Sequence, residues 1–141
     1  MELVLAVAKS CLNVPYVWGG NSPLQGLDCS GFIQWVLKSA GIDPPGDQTA
    51  QALFDHFEKS GSFGVEKPGT LVFYGKSVAS ISHIALMLDR FRVIEAGGGD
   101  STTKTRADAE KKGACVRIRH ISDRKDLVAK IYPNYSKIGL I

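Results

Sequence analysis

The chain has 141 residues, 44% hydrophobic and 22% charged, the length and balance of one soluble globular domain with its own core. Its three cysteines are too few and odd in number for a disulfide framework, and no segment is long and apolar enough to span a membrane. The net charge of +3 is uneven, with 7 Lys/Arg against 9 Asp/Glu in residues 1–99 and 10 against 5 in residues 100–141; the basic end reads as a solvated face or a polyanion-attracting one, and with only Tyr132 and Tyr135 interleaved it argues against nucleic acid as a partner.

Residues 2–13 predict a first helix ending before Pro15, with Cys11 on its apolar stripe as a core residue. Its apolar run of six residues lies between Glu2 and Lys9, too short and wrongly flanked for a signal peptide. On that reading the chain is made in the cytoplasm, and action outside would need release, phage delivery or non-Sec export. A Pro/Gly-containing loop covers 14–27. Asp28 then caps a second helix that buries Phe32, Ile33, Val36, Leu37 and Ala40, stopped by Gly41 and by Pro44-Pro45. Asp47 is the expected cap of a third helix with Leu53, Phe54 and Phe57 inward.

Beyond Pro68-Gly69 the pattern turns to strands, over 70–74, 82–88, 92–96, 114–120 and 127–132, with a short helix at 106–112. Helices first and strands afterwards predict an α+β domain, its N-terminal helices packed on a five- to six-stranded antiparallel sheet and the whole chain, 1–141, forming one unit.

Cys29 falls in the first turn of the second helix, directly after a glycine-rich loop. Helix N-termini carry unpaired N–H groups and partial positive charge, which favour a thiolate, the form that attacks carbonyl carbon. Cys115, in an alternating strand, has no such surroundings. A thiol nucleophile needs a base, and the base an orienting group. Of the three histidines, His56 borders an apolar stripe and His120 ends a strand among arginines. His83 opens a strand, and Glu95 follows twelve residues later across a hairpin expected to turn at 89–91. That even spacing sets the two side chains directly opposite each other, within reach of a hydrogen bond.

Pro15-Tyr-Val-Trp-Gly-Gly20, Asp28-Cys-Ser-Gly-Phe32, Pro68-Gly-Thr-Leu-Val-Phe73 and Ser82-His-Ile-Ala-Leu86 resemble, in order, the blocks of the NlpC/P60 family of papain-like cell-wall cysteine peptidases. The resemblance implies that Cys29 is the nucleophile, His83 the base and Glu95 the orienting residue. It places the Tyr16 hydroxyl near the oxyanion and Asp28 and Ser30 along the substrate cleft. Trp18 joins the substrate-side candidates, although packing explains it and Trp35 as well. Two positions depart from the family pattern: position 95 is acidic where His, Asn or Gln is common, and Thr70 replaces the usual aspartate. No cofactor is implied, and no Cys/His cluster has metal-ligand spacing. Gly97-Gly98-Gly99 reads as a flexible edge beside the site.

The implied activity is hydrolysis of a stem-peptide amide in peptidoglycan, between D-γ-glutamate and diaminopimelate or lysine, through an acyl-enzyme. Bare catalytic domains of this kind resemble phage or prophage lysis and tail hydrolases and secretion-system effectors. The rivals are an N-acetylmuramoyl-L-alanine amidase or acyltransferase on the same scaffold, and a silent wall-binding or tail-assembly module.

Overall fold

In the computed structural model, residues 1–138 are described. Helix α1 spans Glu2–Ser10. The expected last turn to residue 13 is present but tightened: the amides of Cys11 and Leu12 bond the carbonyls of Ala8 and Lys9, both at 3.1 Å. Asn13 then takes φ 73°, a left-handed conformation that asparagine tolerates and that stops a helix. A hairpin of β1 (Asn21–Ser22) and β2 (Gly26–Leu27) occupies the expected loop.

Helix α2 spans Cys29–Ser39 and is capped by Asp28. Its stripe of Phe32, Ile33, Val36 and Leu37 is wholly buried. Helix α3, Ala50–Phe57, begins two residues later than Asp47 would dictate, because its cap is the Thr49 hydroxyl, which accepts from the Ala52 amide at 3.0 Å. Gln34 settles the register. Its buried amide group bonds Asp43, the Gly46 carbonyl and the Gln48 N–H, tying the preceding loop to α2 and leaving Asp47 exposed.

Among the described residues, six strands form one antiparallel sheet in the order β3-β8-β4-β5-β6-β7. They are β3 (Ser62–Phe63), β4 (Leu71–Ser77), β5 (Ser80–Met87), β6 (Arg92–Gly97), β7 (Cys115–His120) and β8 (Leu127–Tyr132). The expected short helix appears as α4, Arg106–Lys112, with a Thr105–Asp108 capping box. β3 is the strand that periodicity does not reveal, since two residues carry no alternation.

Helices α2 and α3 lie on one face of the sheet, with α1 against α2. The main core joins Ala8, Phe32, Leu37, Leu53, Phe73, Leu86 and Ile94. The alternate positions of the central strands, Val72, Tyr74, Ala85, Met87 and Val93, form a second apolar cluster with Ile121. Strands β4 to β6 are therefore apolar on both faces, which suits interior strands covered on two sides.

Thr70 is fully buried, and its hydroxyl is the buried side-chain polar atom without a hydrogen-bond partner among the described residues. An unsatisfied buried hydroxyl costs about 1–3 kcal/mol. Thr70→Val, which replaces it with a methyl, is expected to raise the urea midpoint of unfolding; an unchanged or lower midpoint refutes that account.

Candidate active site

The nucleophile loop is held by close backbone approaches. A Cβ on Gly20 would collide with the Gly26 carbonyl, and one on Gly31 with the Gly20 carbonyl. Gly19 turns the chain at φ 76° and donates its amide to Asp28 Oδ2 at 2.9 Å. These glycines pack the loop on itself and on the start of α2. Asp28 Oδ1 accepts from the Gly31 amide at 2.7 Å and from Ser30 Oγ at 3.3 Å. Burial pushes the Asp28 carboxyl up, opposed by the Gly31, Gly19 and Ser30 bonds. Asp28 and Ser30 thus bind the helix start, and neither is among the side chains that line the cleft. The result is a half-buried Cys29 at the first position of α2, its amide without a partner among the described residues.

His83 lies within β5, paired with Tyr74 of β4, whose ring centroid is 5.6 Å away. Its Nε2 is 2.9 Å from Glu95 Oε1. That leaves Nδ1 for Cys29, which lines the same cleft and acts on the charge of the ring. Burial alone would lower the His83 pKa; its interactions with the neighbouring Cys29 and Glu95 outweigh that and raise the pKa to about 9. Glu95 is 4% exposed. Burial pushes its carboxyl up, but the hydrogen bonds from His83 and Arg117 overcome that and hold it below the usual range.

His83 and Glu95 meet, although not as directly opposed residues. β5 and β6 pair as Leu86↔Ile94 and Met87↔Val93, a register that sets Ala85 opposite Glu95 and makes His83 its diagonal neighbour. Diagonal pairs remain within reach of long side chains. The turn is the one expected at 89–91, and a turn centred on Arg90 pairs residue 85 with 95, so 83 and 95 fall one diagonal step apart. Asp89 Oδ1 accepts from the Phe91 and Arg92 amides at 2.9 and 2.8 Å, and the Leu88 amide bonds the Arg92 carbonyl, which centres the hairpin on Arg90.

A cleft of about 610 Å³ gathers Tyr16, Trp18, Cys29, His83, Glu95 and the 97–101 loop. Tyr16 is buried, its hydroxyl pushed up by desolvation and then by the charges of Cys29, Asp28 and Asp100. Gly99 lies flat on the Tyr16 ring, where any Cβ would collide. Gly97 leaves room for the Glu95 carboxylate in the same way, so the expected flexible edge is a close-packed wall. Trp18 is 54% exposed on the cleft rim and is not a packing residue, whereas Trp35 packs against the core. His56 is exposed beside Phe57, and His120 is exposed and bonded to Ser122, both away from the cleft.

Sequence reasoning missed the arginines. Arg117 faces Glu95 across β6 and β7 and donates Nε to Oε2 at 3.1 Å, while Arg119 Nη1 stands 4.0 Å from the same oxygen. Arg124 lines the cleft over the Tyr74 ring, held to Asp126. The alternation of Arg117 and Arg119 was visible, but the connection over 98–114 contains a helix and fixes no register by length. No three of the described His, Cys, Asp or Glu residues are grouped to hold a metal ion. The arrangement suits nucleophilic chemistry: a thiol at a helix N-terminus, a histidine in the same cleft bonded to an ionised acid, and free donors nearby.

A γ-DL-glutamyl hydrolase of Bacillus subtilis (strain 168) is 33% identical over 102 residues, covering 71% of this chain and 24% of that protein. This chain spans only 18% to 29% of the first curated relatives that it matches. The crystal structure of the NlpC/p60 domain of the peptidoglycan hydrolase SagA is similar with a TM-score of 0.67 at 27% identity, over 92% of this chain and 96% of that one. RipD of Mycobacterium tuberculosis, described as a non-catalytic NlpC/p60 domain protein adapted to peptidoglycan binding, shares the fold with a TM-score of 0.68 at 20% identity, over 94% and 95%. The sequence profile of the NlpC/P60 family matches residues 13–119, from the turn before Tyr16 through Arg119. With a match spanning both the nucleophile loop and the arginine strand, the chain belongs to the NlpC/P60 family.

Proposed function

We propose that this chain is a cysteine endopeptidase of peptidoglycan stem peptides, cutting the amide between D-γ-glutamate and the third residue. The observation that carries the proposal is one cleft that holds Cys29 at the start of α2 together with His83, which is hydrogen bonded to the buried Glu95 at 2.9 Å. The relatives named γ-DL-glutamyl hydrolase and peptidoglycan hydrolase support the substrate class.

In the proposed mechanism, His83 holds the proton of Cys29, and the thiolate attacks the γ-carbonyl carbon. The Cys29 amide and the Tyr16 hydroxyl donate to the oxyanion as it forms. His83 passes its proton to the leaving nitrogen, the C–N bond breaks, and a thioester remains on Cys29. Water, deprotonated by His83, then attacks the thioester and releases the acid with the thiolate restored. Glu95 fixes the ring so that Nδ1 faces sulfur. Asp28 and Ser30 act in this scheme by holding the helix start, and Trp18 offers an apolar rim to the peptide.

Digestion of purified peptidoglycan with wild type and Cys29→Ala, followed by mass analysis, tests the proposal. Fragments ending at D-glutamate are expected from wild type and none from the variant. Release of whole stem peptides from the sugar would make the chain an amidase. No release, together with slow alkylation of Cys29 by iodoacetamide, would make it a binding module in the manner of RipD.

A further inference from the structure

Arg117 uses only part of its hydrogen-bonding capacity on Glu95. Its Nε donates to Oε2, while Nη1 and Nη2 have no acceptor among the described residues. Both nitrogens lie along the bare backbone of Gly97 and Gly98, close enough that a Cβ there would stand 3.0 Å from Nη2 or 3.1 Å from Nη1. Arg117 lines the cleft, and Gly97 and Gly98 put no side chain beside its Nη2 and Nη1.

Two further arginines reinforce the charge. Arg119 is fixed through Nε to Asp123 at 2.9 Å, and Arg124 is gripped by both oxygens of Asp126 at 3.0 and 2.8 Å. Both line the same cleft. Of the two acids on its lining, Glu95 is committed to His83 and Arg117, and Asp100 is bonded to Lys112 and Thr102. Planar guanidinium edges with free N–H pairs match carboxylates geometrically, and a pair formed away from bulk water is stronger than one on an open surface.

The position of this edge relative to the chemistry selects which carboxylate. His83 delivers the proton to the leaving nitrogen, so the amine-side residue lies on the histidine's side of the cleft. The line from His83 runs on through Glu95 to Arg117. We propose that Arg117, with Arg119 and Arg124 behind it, forms a carboxylate-binding subsite for the amine-side residue, giving preference for a diamino acid that carries a second carboxylate over one that lacks it. The proposal rests on the endopeptidase reading for its orientation, and it converts that reading into a substrate choice.

Two dipeptides isolate the carboxylate: γ-D-glutamyl-meso-diaminopimelate and γ-D-glutamyl-L-lysine differ by that one group. Their affinities for the Cys29→Ala protein, measured by calorimetry, do not depend on turnover. The diaminopimelate peptide is expected to bind at least about tenfold more tightly, the scale of a charge-assisted hydrogen bond. Adding Arg117→Gln is expected to bring the ratio close to one, and Arg124→Gln to reduce it while leaving the Arg117–Glu95 bond in place. Equal affinities, or no binding of either peptide at millimolar concentration, overturn the subsite. So does a preference that disappears when the α-carboxyl of D-glutamate is amidated, which would put the arginines on the acyl side. Parallel hydrolysis by wild type separates the two ideas: retained preference without cleavage refutes the endopeptidase reading alone, and cleavage at equal rates with equal affinities refutes the subsite alone.

Discussion

His83→Ala is expected to lower kcat/KM on stem peptides by about a thousandfold or more, and Glu95→Gln by about ten- to a hundredfold, with Cys29 intact in both. The histidine handles the proton in both half-reactions, whereas the glutamate transfers none and only holds the ring and its charge. The pH profile separates those roles. With the His83 pKa raised to about 9, the imidazolium persists well above neutrality, and activity is expected to fall only as pH passes about 9. In Glu95→Gln the amide oxygen can still accept the ring N–H but the negative charge that helps raise that pKa is lost, so the alkaline limb moves to lower pH.

Stability follows the same sign. A group whose pKa is raised by folding contributes fully below its unfolded value, near 6.5 for histidine, and loses the contribution as pH rises through about 9. Glu95, held below the usual range, contributes above the ordinary carboxylate value and loses it as pH falls through its lowered one. The melting temperature of wild type is therefore expected to decline between about pH 6.5 and 9, and Glu95→Gln to flatten that slope. An unchanged alkaline limb in Glu95→Gln refutes the role assigned to Glu95.

Gly31→Ala is the second large effect, and it acts through shape. The new methyl would press into the Gly20 carbonyl and lie 2.9 Å from Asp28 Oδ1. Neither group gives way easily: one is backbone, and the other is bonded to the Gly31 and Gly19 amides. The loop must leave the helix, taking the start of α2 with it. A loss of about 3 kcal/mol in urea unfolding is expected, as for overpacking of a tight contact, together with loss of hydrolysis. Gly64→Ala is the control. Nothing lies within 4 Å of its Cβ, so only the strain of φ 75° remains, about 1 kcal/mol. Equal losses in the two variants would show that the contact with Gly20 is unimportant.

The part of the site closest in sequence was the part most readable in advance. Asp28, Cys29 and Gly31 are neighbours, and their cap, helix start and glycine are local signals. His83 and Glu95 required one hairpin, and its turn at 89–91 was foreseen; the slip was to read even spacing as direct opposition, which a turn centred on Arg90 gives to residues 85 and 95 instead. Asp47 and Thr49 are both good caps. Propensity does not choose between them, and Gln34, far along the chain, does. Arg117 depends on which strand lies beside β6, a choice made by sheet assembly over a long connection. The second apolar cluster was hidden for a related reason: Val72, Tyr74, Ala85 and Met87 read as ordinary strand residues until their face of the sheet is covered.

Residues 13–16 run beside the outer strand β7. Asn13 donates to the Val116 carbonyl, Val116 to the Val14 carbonyl and Tyr16 to the Ala114 carbonyl, at 2.9, 2.9 and 3.0 Å, with Pro15 bridged to Cys115. The other outer strand, β3, has two residues. Long open edges invite another chain to add a strand, and here one edge is partly occupied by the protein's own backbone while the other is too short to serve as a template. The same segment ends at Tyr16, so the bonds that discourage edge-to-edge aggregation also fix where the tyrosine enters the cleft that it shares with Cys29. Loosening residues 13–16 would then expose a sticky edge and misplace the hydroxyl together, coupling resistance to aggregation to an intact cleft.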